Sequence, residues 1–239
     1  MSTLIFDIET VGEDFDALDS ATQDVLTKWI KKESGAPEHQ DEYERALQDL
    51  KDGLGFSPLT GQIVAIGVLD DERDKGAVYF DTNGKKMPDR EEAGMKFKAM
   101  GEREMLENFW RGVAEYDAFV SFNGRGFDVP FLMVRSAIYG IRPSKDLMSN
   151  RYVGSQDFGA KHIDLLDQLS FYGAVRRKGG LHLWCRAFGI ESPKASGVTG
   201  DDVKRLFTGG HFEDIAKYNA GDLRATRELY HRWKNYLAF

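Results

Sequence analysis

One short apolar run constrains this chain more than any other stretch. "LIFDIET", Leu4 to Thr10, carries Asp7 and Glu9 inside a segment whose other residues belong largely in a core. A strand alternates its side chains between two faces, so Asp7 and Glu9 share one face while Ile8 points to the other. At a rise of ~3.3 Å per residue their Cα atoms stand roughly 6.6 Å apart, close enough for both carboxylates to address one cation. Taken alone, the pair fits a strand end emerging into water equally well. The run predicts a strand over residues 3–9, buried on one side and charged on the other.

The rest of the chain alternates helical and strand patterns. Residues 13–55 read as a polar, acidic excursion with two helices. Ser20 is a candidate N-cap ahead of Val25, Leu26, Trp29 and Ile30, and Tyr43, Ala46, Leu47 and Leu50 make a second stripe. Residues 61–71 predict a strand with 77–81 as its hairpin partner, and 82–100, with Pro88, reads as a charged loop. A helix over 102–115 buries Met105, Leu106, Phe109 and Trp110. A strand follows at 117–123, then a helix over 128–140 with Pro130 in its first turn, where proline is tolerated. "HIDLLDQLSFYG" reads as strand then helix, 180–190 as a short apolar helix, and the segment from Phe212 as one long helix or a close pair. This order predicts an α/β fold with a mixed central β-sheet flanked by helices. It predicts a single domain over 1–239, with 13–55 as a helical insertion after the first strand.

Composition bounds the function. A chain of 239 residues, 41% hydrophobic, can bury one sizeable core. Cys185 is the single cysteine, so no intrachain disulfide forms, and a cytoplasmic location is expected. Neither a secretory signal pattern nor an apolar run near the ~20 residues of a membrane span is present, so no membrane partner is expected. The net charge of −7 argues against a general nucleic-acid binder, but its distribution is uneven. Residues 1–120 hold 14 Lys+Arg against 27 Asp+Glu, and residues 121–239 hold 18 against 12. A basic half on an acidic protein suits a polyanion-binding face, and a solvated acidic surface explains the other half equally well.

Two further segments carry chemistry. In "FNGRGFDVPFL", Asn123 ends a strand, two glycines allow a tight connection and Asp128 starts a helix, where it also suits an N-cap. In "KYNAGDL", Tyr218 and Asp222 lie four apart and share a helix face. Together with Asp7-Ile8-Glu9, these segments resemble the three motifs of the DEDD superfamily of 3′→5′ exonucleases, which implies an RNase H-like fold. The histidine subgroup has His five residues before the last Asp, and here that position is Lys217. Tyr218, four before, makes the chain resemble the tyrosine (DEDDy) subgroup, and its spacing is similar to the proofreading domain of family B DNA polymerases, as a stand-alone nuclease.

The resemblance implies a catalytic set of Asp7, Glu9, Asp128, Tyr218 and Asp222, with the four carboxylates binding two divalent ions, Mg²⁺ or Mn²⁺. Clustered carboxylates repel unless cations neutralise them, and hard oxygen ligands suit these ions. In such a two-metal site the ions clamp an in-line displacement at phosphorus and acidify the attacking water. Asp7 would bridge the ions, Glu9 and Asp222 would hold one and Asp128 the other. Tyr218 would orient the water, being too weak an acid, at an unperturbed pKa of ~10, for an obvious base. Asn123 and Phe127 match positions that contact terminal nucleotides, with core packing an equal account of Phe127. Thr10 would support the terminal sugar, and Lys194 is a weaker substrate-binding candidate.

The implied activity is hydrolysis from the 3′ end of single-stranded DNA, releasing nucleoside 5′-monophosphates, with a separate replication or repair partner conceivable. A 3′→5′ exoribonuclease and a catalytically silent nucleic-acid-binding module are the alternatives. Weaker signals read as structural: "RRKGG" (176–180) as a solvated loop or a backbone grip, and Asp164 and Asp167 as a strand end and helix cap. His162 and His182 lack the Cys/His cluster of a zinc site.

Overall fold

The computed structural model describes residues 2–33, 40–192 and 200–238. It divides into two compact units, residues 1–9 with 63–239, and residues 10–62.

Among the described residues the strands form one seven-stranded mixed sheet in the order β4-β5-β3-β2-β1-β6-β7. These are β1 (Thr3–Gly12), β2 (Gly61–Asp70), β3 (Lys75–Phe80), β4 (Arg90–Glu92), β5 (Met95–Ala99), β6 (Ala118–Ser121) and β7 (Lys161–Asp164). β2 and β3 form the expected antiparallel hairpin. β6 runs parallel to both β1 and β7, with Ile5 opposite Val120 and Ser121 opposite Asp164. β6 and β7 therefore end together at the level of Phe6, and β1 runs past them to Gly12 with Asp7 and Glu9 beyond their carboxyl ends.

The segment 82–100 is not the loop its charge suggests. β4 and β5 pair antiparallel, and β5 runs parallel to β3. Met95 and Phe97 are buried while Lys96 between them is exposed. This period-2 pattern is short and masked by flanking charges, and Arg90 covers the Phe97 ring at 4.9 Å.

The helices of the larger unit are α3 (Glu102–Val113), α4 (Asp128–Ile138), α5 (Leu165–Leu169), α6 (Leu181–Phe188), α7 (Val203–Gly209) and α8 (Phe212–Tyr236), the last a single continuous helix. The four apolar residues expected to anchor α3 are all buried. Phe6 packs on Phe109 with ring centroids 5.7 Å apart, and Trp110 donates to the Ser136 hydroxyl at 2.8 Å, tying α3 to α4. Ile8 joins the same core, as alternation along β1 requires.

In the smaller unit, α1 (Ser20–Glu33) and α2 (Gln40–Gly53) form the helical excursion. Asp19, rather than Ser20, caps α1: its carboxylate accepts from the amides of Ala21 and Thr22 at 3.0 Å. Ile30 is buried, but Val25 and Trp29 of the same stripe are exposed. No helix among the described residues is long and apolar enough to cross a membrane.

His162 joins three strands from a fully buried position. Its Nδ1 lies 2.9 Å from the Leu147 carbonyl, which can only accept, so Nδ1 carries the proton and Nε2 accepts from the Ser121 hydroxyl at 2.7 Å. Its ring packs on Phe6 at 5.4 Å. Burial pushes His162 down to about 4, and it stays neutral where an unfolded histidine, near 6.5, is charged. The folded pKa is depressed, so stability is lost as pH falls from about 6.5 toward 4. At ~1.4 kcal/mol per unit this amounts to about 2–3 kcal/mol at pH 4.5. Urea unfolding of wild type and His162→Gln between pH 7.5 and 4.5 should show the variant lacking that part of the acid destabilisation. Identical pH slopes would disprove the assignment.

Candidate active site

The site begins where β6 and β7 end and β1 continues beyond them. β1 carries Asp7 and Glu9, β6 leads through Asn123 into α4 and Asp128, and α8 presents Tyr218 and Asp222. Carboxyl ends of parallel strands are where α/β sheets place their sites. Ligand oxygens of Asp7, Glu9 and Asp222 lie within 4.8 Å of one another. They form the one such group of His, Cys, Asp or Glu ligand atoms among the described residues. Glu9 and Asp222 are buried and Asp7 is half-buried.

Asp128 is tied to the same strand. Its Oδ1 accepts from the Ile8 amide, between the two β1 carboxylates, at 3.0 Å. The residue is helical, with Phe127 in the cap position, so its carboxylate bonds across to β1 instead of capping α4. Burial pushes Asp128 up to about 7, against the lowering effect of the Ile8 amide, with the charges of Asp164 and Asp222 adding to the rise. Burial, then the charges of Asp128, Asp222 and Glu9, hold Asp7 well above the ordinary carboxylate range. Glu9 is raised by burial and by Asp222 and Asp128. A divalent cation would relieve this mutual repulsion, and an all-carboxylate donor set is the hard-oxygen chemistry that Mg²⁺ or Mn²⁺ takes. The residues fit the metal.

Tyr218 is buried beside this charge, and its hydroxyl bonds to Asp222. Burial, then Asp222, Glu9 and Asp7, hold its hydroxyl far above an ordinary phenol. It remains a donor at any physiological pH.

The second-motif loop is held by Asp164. Its Oδ1 accepts from the amides of Asn123 and Leu166 and its Oδ2 from that of Arg125, all at 2.9 Å. Asp164, read as a strand end, is also the cap of α5 and the brace of the loop before Asp128, whereas Asp167, read as the cap, lies inside α5. Asn123 has φ +63°, and a Cβ on Gly124 would lie 2.1 Å from the Ser121 hydroxyl, so the turn has no room for another residue there. Asn123 is exposed at the loop tip, while Phe127 is half-buried and packs on Phe131 at 5.4 Å. Asp167 binds Arg151 through both carboxylate oxygens. Thr10 belongs to the smaller unit, where its hydroxyl donates to the Gly55 carbonyl at 2.7 Å. Lys194 lies outside the described residues. His182 bonds Ser192 on the surface, apart from any metal cluster.

Asn219 was not singled out by its sequence. It is fully buried, and its Nδ2 donates to Asp7 Oδ2 at 2.8 Å, lowering the carboxylate that its neighbours raise. Its Oδ1 faces Gly67 on β2, where a Cβ would lie 1.9 Å away. The available signal was an amide centred on the apolar stripe of α8, four residues after Ile215 and four before Leu223. A buried polar group there needs a partner.

The fold and this cluster define an RNase H-like domain of the kind family B polymerases use for exonucleolysis. The sequence model of the family described as "Predicted 3'-5' exonuclease related to the exonuclease domain of PolB" matches residues 60–238, and the chain belongs to that family. A DNA polymerase of Pyrococcus glycovorans is 27% identical over 136 residues, 54% of this chain and 18% of the polymerase. The solved family B DNA polymerase of Pyrobaculum calidifontis shares the fold at a TM-score of 0.58 and 18% identity, covering 98% of this chain and 24% of the polymerase. The chain thus spans about a quarter or less of these relatives. Asp7 and Glu9 precede the family match, and the structure brings them to its acidic residues.

Asn219 bonds Asp7 from a position that only a glycine at 67 leaves room for. Isothermal titration with Mn²⁺ should show Asn219→Ala weakening metal binding by about 10–100-fold, the usual cost of losing a group that orients a ligand. Gly67→Ala should do the same from the neighbouring strand, and the double variant should be little worse than either. Additive losses would refute the shared role.

Proposed function

We propose that this chain is a metal-dependent 3′→5′ exonuclease of the tyrosine subgroup that removes nucleoside 5′-monophosphates from single-stranded DNA. The observation that carries the reading is the convergence of Asp7, Glu9 and Asp222 oxygens within 4.8 Å, beside a buried Tyr218 bonded to Asp222. A cluster this costly serves a binding module poorly, because unneutralised carboxylates repel phosphate. The DNA polymerases among its relatives favour a DNA substrate.

Asp7, Glu9, Asp222 and Asp128 would hold the cations. Two divalent ions would supply positive charge at the scissile phosphate and a more acidic water. Everything else falls to the chain. Asn219 fixes one oxygen of Asp7. The Ile8 amide fixes one oxygen of Asp128. Tyr218, protonated and donating its one proton to Asp222, offers its hydroxyl oxygen as an acceptor that orients the water. Phe127 offers a flat face to the terminal base and Asn123 an exposed amide to the nucleotide. Water adds to phosphorus, the bond to the preceding nucleotide's 3′ oxygen breaks, and that oxygen takes up a proton.

The test is a time course on 5′-labelled single-stranded DNA and RNA with Mg²⁺, Mn²⁺ or EDTA. The DNA ladder should shorten from its 3′ end with either metal and stand still in EDTA. Asp7→Asn and Asp222→Asn should each lose more than about 100-fold, beyond the loss expected for a merely orienting residue. Tyr218→Phe should lose about 100-fold or more while keeping its metal affinity. Faster shortening of RNA would reassign the substrate, and binding without cleavage would identify a silent module.

A further inference from the structure

The "RRKGG" segment and the turn before it are unexplained by the catalytic cluster. Phe171 and Tyr172 have φ values of +48° and +55°, consecutive left-handed residues that are neither glycine nor asparagine. Each such residue with a bulky side chain costs ~1–2 kcal/mol, and strain of this kind persists where the surroundings fix it. Ser170 fixes it here: fully buried, it accepts from the Gly173 amide through its hydroxyl at 3.2 Å and through its carbonyl at 3.1 Å. A turn of this shape calls for glycine. The aromatic pair there points to what the side chains present, not to what the backbone needs.

These residues add exposed flat side chains around this turn. Phe171 and Tyr152 are each more than half exposed. Tyr172 stands behind Tyr152 with centroids 4.7 Å apart and takes a hydrogen bond from Gln168 at 2.9 Å. Three residues beyond Gly173, Arg176, Arg177 and Lys178 are consecutive and exposed. Flat apolar faces beside a row of cations suit bases and phosphates of a flexible strand.

The turn is linked to the loop before Asp128 through α5. Asp164, at the N-terminus of α5, braces the loop before Asp128 and raises its carboxyl, while Phe171 follows the other end of that helix. Five residues of helix span about 7.5 Å.

We infer that Phe171, Tyr152 and the Arg176-Arg177-Lys178 run form a second contact site for single-stranded nucleic acid. It grips the nucleotides upstream of the 3′ end without reading their sequence. The inference rests on the nucleolytic reading of the carboxylate cluster for its direction, but its test does not need catalysis. Fluorescence anisotropy in EDTA compares oligodeoxythymidines of 3 and 20 nucleotides. Wild type should bind the longer at least tenfold more tightly. Phe171→Gly should lose about tenfold on the 20-mer and nothing on the 3-mer, with an unchanged or raised melting temperature because the turn is relaxed. The triple variant R176A/R177A/K178A should lose a similar factor, and its log–log salt slope should flatten by up to about 2, at ~0.7 per lost phosphate contact. Wild-type affinity for the 20-mer in both variants, equal losses on both lengths, or a lowered melting temperature for Phe171→Gly would overturn the second contact site. Absence of cleavage by wild type with Mg²⁺ and Mn²⁺ would overturn the exonuclease reading instead, and leaves the binding result to stand on its own.

Discussion

Mutual repulsion among Asp7, Glu9, Asp128 and Asp222 is the constraint around which the rest of the larger unit is arranged. Each is raised, or raises another, because water has been removed and like charges brought close. Nothing about an apolar core favours this. The arrangement persists because every carboxylate is carried by an element with its own apolar anchor: Ile8 beneath β1, Val129, Phe131 and Leu132 behind Asp128, and Ile215 and Leu223 along α8. At ~25 cal/mol per Å² of buried apolar surface, those anchors outweigh a few kcal/mol of local repulsion. The hydrogen bonds into the cluster from the Ile8 amide, the Asn219 amide and the Tyr218 hydroxyl set carboxylate orientation more than they stabilise the fold.

The same separation of tasks explains what could be read in advance. Period-2 alternation places Asp7 and Glu9 together because strand geometry leaves no choice, and i,i+4 spacing does the same for Tyr218 and Asp222. Long apolar patterns such as that of α3 are equally secure. β4 and β5 were hidden because their stabilisation comes from pairing with β3, a partner that local pattern cannot name. Asp19 was missed as the α1 cap because Asp and Ser compete for that position and only backbone geometry chooses between them. Asn219 shows the deeper limit. Its meaning depends on a carboxylate 212 positions away and on a glycine on another strand, and neither enters a helical stripe.

Asp164 shows how one side chain can be structural and functional without contact with the reacting groups. It caps α5, holds two amides of the second-motif loop and adds charge beside Asp128. Reading it as a strand end was correct and incomplete, since it also caps α5 and the loop amides it accepts from belong to a segment some 40 residues earlier.

The dependence on α8 has a consequence for folding. Asp7 and Glu9 meet Asp128 through β1, β6 and α4, but Tyr218, Asn219 and Asp222 arrive together on one helix more than 200 residues beyond β1. Contacts of such sequence separation close late, after shorter loops have formed. A partly folded chain with its sheet assembled and α8 undocked would hold three of the four carboxylates without the tyrosine or the amide that aligns Asp7. Docking of α8 therefore completes the cluster, and a chain with α8 undocked carries an incomplete site.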